Sequence, residues 1–237
     1  MKFFLWISCI ACLVAGTASG QVIKKYKVNP GQKISEAIPQ NEIYSYPEFT
    51  SGRVYLRNNS VSLVKLNYNS LLGEMQFIDP KGDTLSVADE KMISLVVIGT
   101  DTFVYDNAYL KVIASEGKVK LANNQFIEMT NKERIGEFGQ AGHGSIETYG
   151  KVSTSQSPPK DLVANEVLTM AKKSVYYIGD AYNQFKVANK KNVLDMYAKN
   201  ETEVKAYLKE NKVDFNSEKD MKQLIIFLKN ITPTMPI

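Results

Sequence analysis

Ile93-Ser94-Leu95-Val96-Val97-Ile98, then Gly99-Thr100-Asp101, then Thr102-Phe103-Val104-Tyr105, is the stretch that decides the fold. A short apolar run meets three residues of turn chemistry and is followed at once by a second β-branched and aromatic run. Strands joined this tightly are antiparallel neighbours, because a parallel return needs a long crossover. The same unit recurs outward at intervals of roughly ten residues, the spacing expected of short strands. Runs at 52–56, 61–68, 74–78 and 84–88 precede it, and runs at 109–115, 118–122 and 125–130 follow. The breaks carry Asn58-Asn59, Asn69 to Gly73, Asp79-Pro80-Lys81-Gly82, Asp89-Glu90, Asp106-Asn107, Glu116-Gly117 and Asn123-Asn124. Gly, Asn and Asp suit such turns because they tolerate positive φ and bond their own backbone. The pattern predicts an antiparallel β meander curling into a half-barrel or sandwich, since a long flat sheet leaves exposed edges. Val61, Leu63 and Lys65 alternate with Val64, Leu66 and Tyr68, and both faces are partly apolar. This predicts a sheet covered on one side and flanked on the other.

The rest of the chain divides around that meander. Residues 21–41 read as a polar lead. The pattern breaks at 132–157, where Gly136, Gly139, Gly142, Gly144 and Gly150 crowd together ahead of Pro158-Pro159; this reads as a loop, with one strand at 145–152. Strands are expected again at 166–171, 174–178 and 184–187. Three helices close the chain. The first, 190–199, places Val193, Leu194 and Tyr197 on one side; the second opens at Asn200-Glu201-Thr202-Glu203, which resembles a capping box. The third opens at Ser217 and carries Met221, Leu224, Ile225 and Leu228 at helical spacing, with Pro233 beyond it. The expected organisation is a signal segment at 1–20, a β-meander domain at 21–157 with the glycine-rich loop 132–157, and a part at 158–237 with short strands and helices packed on the sheet. The class is mainly β with α, or α+β.

Residues 1–20 have the three-part layout of a secretory signal: Lys2, an apolar stretch over 3–14, and Ala18-Ser19-Gly20 as a small-x-small cleavage site. Cleavage is expected before Gln21, with the product periplasmic or secreted. The apolar run is well short of the roughly 20 residues that span a bilayer, so no transmembrane helix is expected after cleavage. Cys9 and Cys12, the only cysteines, leave with this segment. A lipoprotein reading through Cys12 lacks the usual leucine, because Cys9-Ile10-Ala11-Cys12 begins otherwise. Loss of Lys2 takes the net charge from +4 to +3. Most of the excess lies after residue 150, too dilute to predict nucleic-acid binding.

These counts leave little material for catalysis. Without thiols there is no disulfide framework, and one imidazole cannot build a His-rich metal centre. His143 is that imidazole, set among glycines with no nucleophile or orienting acid marked nearby. Those glycines make no phosphate cradle, since no Gly-Lys-Ser/Thr follows. Asp79 and Asp83 flank Gly82, but the third spaced acid and closing Glu of a calcium loop are missing. Glu133 and Glu137 stand at helical spacing, which Gly136 and Gly139 weaken. No catalytic, cofactor-binding or metal residue is therefore assigned. Tyrosines are plentiful: Tyr44, Tyr46, Tyr55, Tyr68, Tyr105, Tyr109 and Tyr149 in the β-rich part, then Tyr176, Tyr177, Tyr182, Tyr197 and Tyr207. Rings with a hydroxyl stack on sugars or fill protein interfaces, and also pack between strands.

The segments 46–55, Leu66-Asn67-Tyr68-Asn69, 73–78 and Gly82-Asp83-Thr84-Leu85 resemble secreted envelope proteins of Bacteroidota. So do Tyr176-Tyr177, 190–194, 204–208 and 211–215. The resemblance spans most of the mature chain and implies an exported envelope protein of a Gram-negative cell, with no catalytic residue, cofactor or substrate carried over. Asp83-Thr84-Leu85 is similar to the short O-glycosylation acceptor pattern of that group. The leading expectation is a non-enzymatic binding or scaffold protein of the cell envelope, with an envelope protein or glycan as partner. A carbohydrate-binding module using exposed tyrosines is the second reading and a carboxylate-dependent hydrolase the third. The export reading has a direct check: intact mass of the exported protein should lack residues 1–20, and a mass that retains them removes the cleavage claim.

Overall fold

The computed structural model describes residues 24–135, 141–143 and 163–231, without side chains at 134, 135 and 141–143. The signal segment, the expected strand at 145–152, Glu137, Tyr149 and most of the glycine-rich loop lie outside the described residues.

The sheet is antiparallel, open and mainly a meander. Its strands are β1 (Lys25–Val28), β2 (Thr50–Leu56), β3 (Val61–Asn69), β4 (Glu74–Ile78), β5 (Thr84–Ser86), β6 (Ile93–Ile98), β7 (Asp101–Tyr105), β8 (Tyr109–Glu116), β9 (Val119–Ile135), β10 (Ala141–His143), β11 (Val167–Gly179) and β12 (Phe185–Val187). Their order is β1-β11-β9-β8-β7-β6-β2-β3-β4-β5, with β10 on β9 and β12 on β11. The turns follow their sequence chemistry: Gly73, Gly82, Gly99, Gly117, Asn59 and Asn107 all have positive φ. The neighbour-by-neighbour order breaks once inside the meander. After β5 the chain returns through a 3-10 turn at Glu90–Met92, and β6 pairs with the free side of β2. Val54 lies opposite Val96 and Gly52 opposite Ile98, so the apolar faces of β2 and β6 coincide. At Gly52 a Cβ would stand 2.6 Å from Val97 O and 2.8 Å from Leu66 Cδ1, so only glycine lets these strands meet.

Two expected breaks are not breaks. Asn123-Asn124 lies inside the continuous strand β9, and Lys172-Lys173 inside β11. Both asparagine side chains are buried and bonded, Asn124 Nδ2 donating to Tyr109 O at 2.9 Å and Asn123 Nδ2 to Ser174 Oγ at 3.4 Å. A buried amide with partners is an asset to a strand, whereas its sequence signature is that of a turn. His143, expected in a loop, has its backbone in β10, opposite Glu133. Of the lead expected at 21–41, the described residues are structured: β1 pairs with β11, and two short helices follow, α1 (Ile34–Ala37) and α2 (Gln40–Ile43). Glu42 fixes α2 to the sheet through Lys24 and Lys172.

The C-terminal part forms α3 (Lys190–Met196), α4 (Glu201–Glu210) and α5 (Glu218–Leu228). Asn189 caps α3 and Ser217 caps α5, each accepting a backbone N–H three residues on. The expected capping box at Asn200 does not form, because a 3-10 turn at Ala198–Asn200 runs straight into α4. Met221, Leu224, Ile225 and Leu228 are all fully buried against Val119 and Leu121 of β9 and Tyr176 and Ile178 of β11. Each such burial is worth about 1.5–3 kcal/mol, so packing rather than propensity holds a helix this short.

The sheet curls far enough for β3 to reach β9 across its hollow side. Tyr68 donates its hydroxyl to Gln125 O at 2.9 Å and accepts from Asn124 Nδ2 at 3.3 Å, while Ile127 N–H bonds Ser70 O at 2.8 Å. Tyr68, Phe103 and Tyr109 fill the hollow with Leu66, Met75, Val96 and Ile98. Tyr68→Phe should cost about 1–3 kcal/mol in denaturant unfolding, because it removes the donor to Gln125 O and the hydroxyl that accepts from the buried Asn124 amide. A loss below about 0.5 kcal/mol, the ordinary effect of a surface change, would show that the seam carries no stability.

Candidate functional site

The hollow side has two mouths, and their charges are arranged oppositely. At the first, Tyr46 reaches over from the segment after α2 and donates to Asp101 Oδ2 at 2.6 Å. Lys111 Nζ stands 2.7 Å from the same oxygen and 6.0 Å from the Tyr46 ring centroid. Burial pushes the Asp101 carboxyl up, but Lys111 and Tyr46 outweigh it and hold it below the usual aspartate range. Burial, then Asp101 itself, pushes the Tyr46 hydroxyl far above the tyrosine range. Every group here is neutralised by a neighbour, which suits a structural clasp.

The second mouth is a cavity of about 620 Å³ at the other end of β7, within the size range of small-molecule sites. Glu74 at the start of β4, Asp89 and Glu90 before β6, and Tyr105 at the end of β7 line it, with Lys91 at its rim. Three carboxylates thus face one ammonium. Ser86 Oγ donates to Glu74 Oε2 at 2.5 Å, and among the described residues no basic side chain pairs with Asp89 or Glu90. Tyr105 and Tyr109 meet edge to face with centroids 5.1 Å apart. Tyr109 is 1% exposed, and its hydroxyl approaches the Glu90 carboxylate. Burial raises the Tyr109 hydroxyl first, followed by the charge of Glu90 and a hydrogen bond to its carboxylate. Tyr105 is pushed up to about 12, by burial and then by Glu90.

The sequence candidates fall elsewhere. Glu133 lies on β9 and accepts from Asn131 Nδ2 at 3.0 Å. The register brings the His143 backbone opposite it. Asp79 Oδ1 accepts from the backbone of Lys81 and Asp83, which is the work of a turn. Thr84 stands on the edge strand β5. Among the described tyrosines only Tyr182 is exposed, at 81%; Tyr68, Tyr109, Tyr176 and Tyr197 are buried. Among the described residues no three His, Cys, Asp or Glu side chains converge as a metal site. Asp89 and Glu90 were not singled out because they lie at a break that reads as turn chemistry, and Glu74 because it opens the strand run 74–78. Only the return of β6 to β2 brings positions 74, 90 and 105 to one rim.

No family model, curated protein or solved structure matches the chain.

A raised tyrosine favours the folded state below the ordinary tyrosine range, and that contribution is lost as pH rises through the folded value. Spectrophotometric titration should therefore find Tyr105 ionising near 12, and Glu90→Gln should bring it down. An unmoved ionisation would place Glu90 away from the Tyr105 hydroxyl.

Proposed function

We propose that the protein is an exported, non-enzymatic binding or scaffold protein of the cell envelope, working in the periplasm or outside the cell through the outer face of its sheet. The observation that carries this reading is an apolar patch on the convex side of β6, β2 and β3. Leu63 is 74% exposed and Val61 49%, and across the ladder they adjoin Tyr55, Leu95 and Val97. A lone exposed leucine needs no explanation, but a run across three paired strands marks an interaction surface. Arg53 opposes Leu63 in the register, and Lys65 follows on the same face. The patch therefore fits a protein surface with an apolar centre and an acidic rim.

The lysine-rich exterior and the leader-like first 20 residues agree with this reading. No helix among the described residues is long and apolar enough to cross a membrane. With tyrosines drawn into the core, a sugar platform has only Tyr182 to build on.

A photo-crosslinker placed at position 63 and used in intact cells tests the patch. One abundant envelope protein should dominate the products, and Leu63→Glu should lower association with that protein by about tenfold, the equivalent of about 1.4 kcal/mol. Crosslinks scattered over unrelated neighbours, or an association indifferent to Leu63→Glu, would remove the outer face from the function.

A further inference from the structure

We propose that the groove on the outer face of β2 and β3 receives an extended acidic segment of a partner polypeptide, with carboxylates at alternate positions seated on Arg53 and Lys65. This rests on the outer-face reading and names what that face takes.

The groove holds about 610 Å³, within the range of ligand sites. Arg53, Leu63, Lys65 and Val97 line it from the sheet, and Ile78 and Pro80 border it at the β4–β5 turn. β2, β3 and β6 carry these two cations and no acid. Among the described residues neither cation has a hydrogen bond or an ion pair, whereas other lysines on the sheet are engaged: Lys111 with Asp101, Lys132 with Glu166, Lys172 with Glu42. Asp79, the acid in the groove's lining, accepts at Oδ1 from the backbone of Lys81 and Asp83 in its own turn. The face therefore complements an anion.

Register then sets the spacing. Arg53 lies opposite Leu63, and Lys65 stands two residues further along β3, so the two cations are diagonal neighbours about 7–8 Å apart. Alternate side chains of an extended chain share a face at about 7 Å, while consecutive ones point opposite ways. Carboxylates at i and i+2 match the pair. The Arg53 guanidinium takes one carboxylate through its fork, which leaves the Lys65 ammonium for the other. Carried past Arg53, the same diagonal reaches Leu95, which lies opposite Tyr55. An apolar side chain two residues from the first acid falls there, so the segment reads apolar-x-acid-x-acid along the diagonal. A small dianion would leave Leu63 and Val97 uncovered, and a flat bilayer does not enter a recess beside a turn. Neighbouring side chains of a polypeptide cover that apolar surface.

Titration of the isotope-labelled protein with the blocked peptide Leu-Ser-Glu-Ser-Glu-Ser-Leu, followed by amide shifts in two-dimensional NMR, tests the assignment; the palindrome fits either chain direction. Saturable shifts on β2, β3 and β6 are expected. The Gln counterpart and the isomer Leu-Ser-Ser-Glu-Glu-Ser-Leu should each bind about fivefold more weakly, the worth of an exposed ion pair. Arg53→Glu and Lys65→Glu should each weaken binding about tenfold, because attraction becomes repulsion. Lys186→Glu on β12 makes the same change in net charge and should leave binding unaltered. The proposal is overturned if the Gln peptide or the adjacent-acid isomer binds as well, or if neither reversal exceeds the effect of Lys186→Glu. It is also overturned if phosphatidylglycerol vesicles bind through Arg53 and Lys65 and the peptide does not. Those failures would strike the acidic segment alone, since the outer-face reading stands or falls on the crosslink at position 63 and on Leu63→Glu.

Discussion

A curled sheet left open must hold its two sides together across the gap, and here Tyr68 does so. Its hydroxyl donates to Gln125 O and accepts from Asn124, whose amide also donates to Tyr109 O. β3 and the neighbouring strands β8 and β9, separated from it in the sheet order by β7, β6 and β2, therefore share one buried polar node. In a low-dielectric interior such a node is strong when complete and costly when incomplete, which fixes the curl more narrowly than apolar contact does. What packs inside depends on it. Ile127, placed by its bond to Ser70 O, meets Leu71, Leu72 and the α1–α2 segment, and the aromatic stack of Tyr68, Phe103 and Tyr109 takes its geometry from the same anchor.

The meander and the last helix were legible because each rests on local chemistry. β3, β4 and β6 start and stop where apolar runs meet Gly, Asn and Asp, and α5 was written in the spacing of Met221, Leu224, Ile225 and Leu228 and in its Ser217 cap. Asn123-Asn124 misled for a physical reason. The same dipeptide serves a turn by bonding its own backbone, or a strand by bonding Tyr109 O and Ser174 across the sheet, and only the tertiary partners decide. The return of β6 to β2 left no local mark either. Because the acidic mouth is a product of that return, its residues could not be grouped from the sequence.

The two mouths show how one scaffold separates structural from available polarity. Asp101, Tyr46 and Lys111 neutralise one another at the first, so nothing is left to offer. At the second, Glu74, Asp89 and Glu90 line the cavity with Lys91 as the one ammonium among them. The outer face adds apolar surface at Leu63 on β3.

The pairing of β1 with β11 also governs assembly. Lys25 lies opposite Ala171, so the first strand of the sheet waits for one of the last to be made. Closing a chain segment of that length is entropically expensive and slow compared with forming the neighbouring hairpins. Until it happens, one side of β11 presents unpaired backbone groups to whatever chain is nearby. The late step of folding and the interval of greatest exposure to mispairing are therefore the same event, and Glu42, bridging Lys24 beside β1 and Lys172 within β11, stands where that event is completed.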